Sequence, residues 1–282
     1  MSAHLLGAGA EIRVGGDTTG PDGSFALRFE GVEGAVEDAA LWVAATYQGV
    51  VYSAPRVRGF ADSVPEIRLT VYDTVVVRRA PESLQVPVRR LFVRPSGHFR
   101  VEVLDVLELE NPSTQTWVPA GRGALWNLTL PRRAEGAHVA DPGALRDLRL
   151  AGDTLRLAGP LVPGHSQVIL RYFLPAEPGA VHLPLGAPTA ELEVLIAEDL
   201  GGKGGAGLAG RGSMRLDRDS FRRFAGRDLE ADEPVSFSIR SGFAASGLWL
   251  LLPPLLFLAL VAGAALWHDR RPPHLAAGSG TP

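Results

Sequence analysis

From residue 98 to residue 111 the chain reads HFRVEVLDVLELEN, and an apolar side chain returns at nearly every second position. Phe99, Val101, Val103, Leu107 and Leu109 line one face, broken once by Asp105, while Arg100, Glu102, Glu108 and Glu110 take the other. A period of two belongs to an extended strand with one face buried. The rhythm recurs in SQVILRYFL at Val168, Leu170, Tyr172 and Leu174. It returns at Leu192, Val194 and Ile196 against Glu191 and Glu193, and at Val235, Phe237 and Ile239. Between these runs lie ENPSTQ, LVPGHS and PAEPGA, which are turn chemistry. With 33 Gly and 22 Pro among 282 residues, the punctuation suits short strands better than long helices. The expected class is all-β, with antiparallel sandwiches. Helical periodicity appears only weakly, from Arg215 to Phe224.

The composition narrows the chemistry. Cysteine is absent, which excludes disulfides, thiolate metal sites and thiol nucleophiles together. With 28 basic and 31 acidic residues the formal charge is −3, no footprint for nucleic acid. The seven histidines form neither H-x-H nor H-x-x-x-H, so no metal ligand pair is read from spacing. Neither G-x-S-x-G nor S-x-x-K occurs. Ser96-Gly97-His98 is a turn rather than a catalytic pair, and Glu108 with Glu110 reads as the wet face of a strand. In GGKGGAGLAGRG, Gly201 to Gly212, the P-loop order is missing and no parallel βα unit surrounds it. It reads as a flexible loop.

The first region alternates at Ala10-Glu11-Ile12-Arg13-Val14, turns through Gly20-Pro21-Asp22-Gly23 and resumes at Phe25 to Phe29. Asp17 and Asp22 do not match the D-x-D-x-D-G spacing of a calcium loop. Two strands, Leu41 to Thr46 and Val50 to Tyr52, follow around Tyr47-Gln48-Gly49, and EIRLTVYDTVVV, Glu66 to Val77, reads as a last one. The order GAEIRV, TTGPDGSFALRFEGV, ALWVAATYQGVVYSAP, over roughly residues 8 to 72, resembles the carboxypeptidase regulatory-like domain. That family is a small prealbumin-type β-sandwich marked by a T-D-x-x-G-x-F-x-F hairpin and then a V-x-x-x-Y-x-G hairpin. Its members open with a strand and loop ahead of the G-A-x-V segment, whereas here Gly9-Ala10 falls almost at Met1. The expectation is an upstream strand and export signal, because a sandwich lacking its first strand exposes an edge.

The second region, residues 76–243, resembles the companion domain that follows such modules in bacterial envelope proteins. The residues concerned are LTVYDT, FRVEVLDVLELENPS, LWNLTLP and LVPGHSQVILRYFLP. That resemblance implies an arrangement, a second Ig-like sandwich, and no chemistry.

The end of the chain constrains location. Leu248 to Trp267 is twenty residues without a charge, about 30 Å as a helix and so the depth of a bilayer core. Trp249 and Trp267 stand at its two ends, where indole rings favour the headgroup level, and Pro253-Pro254 kinks or starts it. Arg270 and Arg271 follow, against the single Arg240 in the twenty residues before. The positive-inside rule then puts 269–282 in the cytoplasm and the β region outside. The start, MSAHLLGAGAEIRV, carries no basic n-region or h-region.

The domain reading is therefore 1–75, a regulatory-like sandwich; 76–243, a second sandwich; 244–268, a transmembrane helix; and 269–282, a tail. Of the tryptophans outside the span, Trp42 and Trp126 sit in apolar strands and read as core. Trp117, in STQTWVPAG, reads as a candidate surface contact for a sugar or a partner chain. Asn127-Leu128-Thr129 matches a glycosylation sequon by pattern only. The functional expectation is a non-enzymatic, single-pass protein of the bacterial inner membrane. Its extracytoplasmic sandwiches would bind an envelope protein or cell-wall polymer, without catalytic residues, metal or cofactor. The alternatives are a carbohydrate-binding or hydrolytic accessory protein and a tail-anchored cytoplasmic scaffold.

Overall fold

The architecture comes from a computed structural model of the full chain. It describes residues 2–7, 10–26, 40–54, 57–58, 66–79, 81–97, 99–142, 145–177 and 179–239. In chain order the strands are β1 Ser2–Gly7, β2 Ala10–Gly16, β3 Ala40–Tyr47, β4 Val50–Ser53, β5 Val57–Arg58, β6 Thr74–Val77, β7 Val86–Pro95, β8 Arg100–Asn111, β9 Thr116–Pro119 and β10 Trp126–Thr129. There follow β11 Glu135–Asp141, β12 Leu148–Ala151, β13 Thr154–Leu157, β14 Gly164–Pro175, β15 Gly179–His182 and β16 Thr189–Ala197. After a 3-10 turn at Glu198–Leu200 come β17 Lys203–Gly204, β18 Ala209–Leu216, β19 Asp219–Leu229 and β20 Ser236–Ile239. The fold is all-β and sandwich-like.

Residues Met1–Gly242 form one compact unit and Phe243–Pro282 another. The span 244–268 with Trp249 and Trp267, the tail 269–282 with Arg270 and Arg271, and the Leu27 to Phe29 end of the second expected strand lie outside the described residues. Among the described residues no helix is long and apolar enough to cross a membrane.

The largest sheet runs β11-β14-β8-β7-β16-β19-β18, and only its β7–β16 contact is parallel. Its inner face holds the expected set: Val101, Val103, Leu107, Leu109, Val168, Tyr172, Leu192, Val194 and Ile196 are all fully buried. Two three-stranded sheets, β10-β13-β12 and β15-β20-β17, bring Trp126, Leu128, Leu155, Leu157, Phe237 and Ile239 to the core. The Trp126 indole donates to Gly186 O at 3.0 Å, so its polar edge is satisfied within that core.

The N-terminal sheet is β2-β1-β3-β4 with β5 on β3, and places Ser2–Gly7 between β2 and β3. That strand was not read from the sequence. The β3–β4 hairpin turns through Gln48 (φ 46°) and Gly49 (φ 79°), as the Tyr47-Gln48-Gly49 stretch suggested. Of EIRLTVYDTVVV only Thr74–Val77 is a strand, and it crosses the 75/76 boundary to pair in parallel with β9.

Three expectations are corrected. Phe99 is 84% exposed, because the strand begins at Arg100. Gly97 (φ 76°) and a Ser96 N–H donated to Arg100 O at 2.9 Å close the β7–β8 turn, leaving Phe99 in it. The helical rhythm at 215–224 is instead the β18–β19 hairpin, turned by Asp217 (φ 53°). The glycine-rich stretch is not a free loop: Lys203 and Gly204 pair with β20, Gly205 N–H donates to Ser236 O at 2.9 Å, and 209–212 form the exposed start of β18. Its glycines permit close approach, since a Cβ at Gly205 would collide with Ser236 Oγ.

Candidate functional site

Asp105, the residue that interrupts the apolar face of β8, lies in the core with no exposure. Arg89 on β7, equally buried, donates to it twice, Nε to Oδ1 at 3.0 Å and Nη2 to Oδ2 at 2.7 Å. The third guanidinium arm, Nη1, donates to Pro184 O at 2.6 Å, and Tyr172 Oη donates to Asp105 Oδ2 at 3.4 Å. Burial opposes the Arg89 charge, yet the adjacent Asp105 more than offsets this and holds the guanidinium above its ordinary range. Burial first, and the Asp105 charge second, push the Tyr172 phenol well above its ordinary range. Each polar side-chain atom of the cluster has a partner, which makes it a cross-tie between β7, β8, β14 and the 183–188 connector. It is not an open catalytic site.

The outer face of the same sheet is different. Glu193 on β16 receives Arg223 Nε of β19 at 2.7 Å and lies 3.4 Å from Arg90 Nε of β7. Glu102 on β8 is paired with Arg94 of β7 at 3.2 Å and with Arg171 of β14. Arg100 and Arg171 both lie against the Phe173 ring, 5.4 and 5.7 Å from its centroid. Each carboxylate thus stands between two arginines, and Arg90 and Arg171 keep 47% and 40% of their side chains exposed. Further along β8, Glu108 takes the His165 ring of β14 at 3.0 Å, with Glu110 4.0 Å from its other nitrogen. The Glu108/Glu110 pair therefore sits on the polar face, as the alternation required. Among the described residues no group of three or more His, Asp or Glu is placed to hold a metal ion.

The two ends of the sheet are distinct. At one end Thr116 N–H donates to Asp73 O at 2.8 Å and its hydroxyl lies 2.9 Å from Tyr52 Oη, joining the N-terminal sheet to the body beside Asn111. At the other end are the β7–β8 turn and Pro175, which pairs with Arg100. There Ala176 N–H donates to Phe99 O at 2.8 Å, and Gly179 pairs with Ile239. The last described strand therefore ends on the Phe99 side.

Trp117 does not present the surface contact expected of it. It lies on β9, 4% exposed, with its backbone bridged to Leu161 in both directions. The polar neighbours that suggested a loop, Ser113 and Gln115, precede the strand and are tied to Asn111, whose amide caps Gln115 O and Leu161 O at 2.9 Å each. Trp126 is core as expected, Trp42 is half-buried on β3, and Asn127 is exposed on β10. Asp22 accepts from Ser24 N–H and Oγ at 3.0 and 2.7 Å, and Asp17 from Thr18 N–H at 2.7 Å, so both carboxylates serve their own turn. Of the Ser96-Gly97-His98 triplet, His98 lies outside the described residues. Arg89 was not anticipated; nothing in VPVRRLFVRP marks which of its three arginines points inward.

No protein-family model and no curated protein matches the chain. Solved structures similar to part of it include an M1 zinc metallopeptidase from Deinococcus radiodurans, at 14% identity and a TM-score of 0.34, covering 57% of this chain and 43% of that one. A mutant of that enzyme bound to a Tyr-Ser-Ala substrate aligns at 15% identity and a TM-score of 0.34, covering 55% of this chain and 42% of that one. The chain thus spans less than half the length of those proteins, and no activity passes to it at that level of similarity.

Proposed function

We propose that this protein is a non-enzymatic, single-pass anchor of the bacterial inner membrane that presents its β body outside the cytoplasm to a protein partner. The observation that carries the reading is the twenty-residue run Leu248 to Trp267, free of charge and followed by Arg270 and Arg271. In this reading 1–75 is a prealbumin-type module, 76–243 an Ig-like sandwich, 244–268 the membrane helix and 269–282 a cytoplasmic tail. The β3–β4 hairpin supports the first assignment, since Val43, Tyr47 and Gly49 supply the family's second hairpin pattern.

The binding face is the outer surface of the large sheet. Arginine and aromatic side chains are the residue types that protein interfaces enrich, and Arg90, Arg100, Arg171 and Phe173 offer both. The buried acid Asp105 is committed to Arg89 and Tyr172 and is not free for general acid–base work.

Fractionation and spheroplast proteolysis test the proposal together. The full chain is expected in the membrane pellet, released by detergent and not by salt, with the β body cut by protease added outside. A full-length product in the supernatant overturns the anchor. Protection from external protease overturns the orientation.

A further inference from the structure

Strand β18 closes one side of the large sheet, and among the described residues nothing pairs with its other side. Residues 209–213 and Arg215 are exposed along it. The two-residue turn at Asp217 and Arg218 makes Leu216–Asp219 the first bonded pair. Leu216 and Met214 therefore bond inward to β19, while Ser213 and Arg215 turn their N–H and C=O groups to the open side. Arg211 and Gly212 bulge between Gly210 and Ser213, so the straight run is 213–216. At the opposite edge, β11 is broken by two register shifts and keeps no straight run longer than two residues. The ladder also sorts the side chains. Ser213 and Arg215 share a face with Ser220 and Arg222, and half-buried Met214 and Leu216 share the other with Phe221. The sixteen residues 201–216 hold Lys203, Arg211 and Arg215 and no acid.

Charge and a bulge are the ordinary means by which a sheet edge resists indiscriminate pairing. On β18 they leave four residues open and select which chain can use them. We propose that residues 213–216 take an extended segment of a partner protein as an added strand, one in which acidic and apolar side chains alternate. The segment's main chain pairs with the open groups of Ser213 and Arg215, the mode of strand addition at a free edge. Its acids meet Arg215, with Arg222 one strand further in on the same face, and its apolar side chains extend the face of Met214 and Leu216. A second copy of this edge is the poorer occupant. It sets Arg211 and Arg215 of both chains on one short ladder, where like charges are destabilising. The site lies apart from the outer face of the large sheet and depends neither on a contact there nor on the membrane anchor.

The test titrates the full chain, in non-ionic detergent, against a fluorescein-labelled ten-residue peptide of alternating Glu and Val, read by anisotropy. Saturable binding is expected, with a Lys/Val peptide of the same length bound at least about tenfold more weakly. Arg215→Glu should weaken the Glu/Val peptide about tenfold or more. Ser213→Pro keeps every charge and removes one outward N–H at a position where an edge strand tolerates proline. It should weaken binding by about tenfold. Absence of binding to the unsubstituted chain, or equal binding of the two peptides, overturns the proposal. So does undiminished binding to Ser213→Pro, the mark of a surface ion pair without strand addition. Should that variant unfold, hydrogen exchange on the unsubstituted chain decides. Slower exchange of the Ser213 and Arg215 amides with the Glu/Val peptide present supports the added strand, and unchanged rates overturn it.

Discussion

Arg89 grips Asp105 diagonally across the β7–β8 pair, with bonds of 3.0 and 2.7 Å between two side chains that have no solvent exposure at all. Removing one partner leaves the other charged and dry. Asp105→Ala or Arg89→Ala is expected to cost about 3–5 kcal/mol, whereas the double replacement Arg89→Met/Asp105→Leu, which leaves no orphan charge, costs far less. Urea unfolding of the full chain in detergent measures both. Equal losses for the single and double variants would show that packing, not charge pairing, sets the cost.

Tyr172 closes the same cluster. Its pKa is raised in the folded chain, so its contribution to stability is whole below the unfolded value of about 10 and is lost as pH rises above that toward the folded value. Tyr172→Phe removes one long hydrogen bond, at a cost under about 1 kcal/mol near neutrality. Above pH ~10 the wild-type stability should fall more steeply than that of the variant. Parallel alkaline limbs would mean that Tyr172 does not resist ionisation.

Where alternation was strict, the sequence disclosed the fold. β8, β14 and β20 each bury the residues their period of two selected, and so does β16, where Glu191 and Glu193 keep the alternation legible although 192–197 are buried on both faces. β7 escaped for the converse reason: Leu91, Phe92 and Val93 are all buried, so VPVRRLFVRP shows no period. The outer-face arginines were visible as residues but not as a group, since Arg90, Glu193 and Arg223 are far apart in the chain and meet only through strand order. Trp117 misled because its neighbours are polar, and a four-residue strand is too short to reveal which way its side chains point.

The glycine-rich stretch and the strand β19 beside it provide a direct contrast between a tight and an open position. A Cβ on Gly226 would collide with Gly207 O, a backbone atom that cannot swing aside, while Gly210 has nothing within 4 Å. Gly226→Ala is expected to cost about 1–3 kcal/mol, and Gly210→Ala to be neutral or to gain up to about 1 kcal/mol by restricting the unfolded chain. Denaturation midpoints separate the two. Neutral behaviour at both sites would restore the reading of 201–212 as a loose loop.

Burial gives Trp117 a structural role that can be measured. Trp117→Ala should lose about 3–5 kcal/mol of stability, with Trp117→Phe intermediate. A variant that keeps its unfolding midpoint but loses binding to a glycan would reverse the assignment.

The outer face can be tested without damaging the fold because Glu102 and Glu193 each have two arginine partners. Arg171→Ala leaves Glu102 with Arg94, and Arg90→Ala leaves Glu193 with Arg223, so neither change strands a carboxylate without a partner. Each half-exposed arginine contributes at most about 1 kcal/mol to folding, and the midpoint should barely move. If this face holds the partner, the double variant should reduce its capture by crosslinking in membranes by about tenfold or more, the loss of one or two interface anchors. Arg149→Ala, which breaks an exposed pair with Asp147 in the separate three-stranded sheet β10-β13-β12, serves as the matched control and should leave capture unchanged. Equal capture by all three chains would place the partner on another surface.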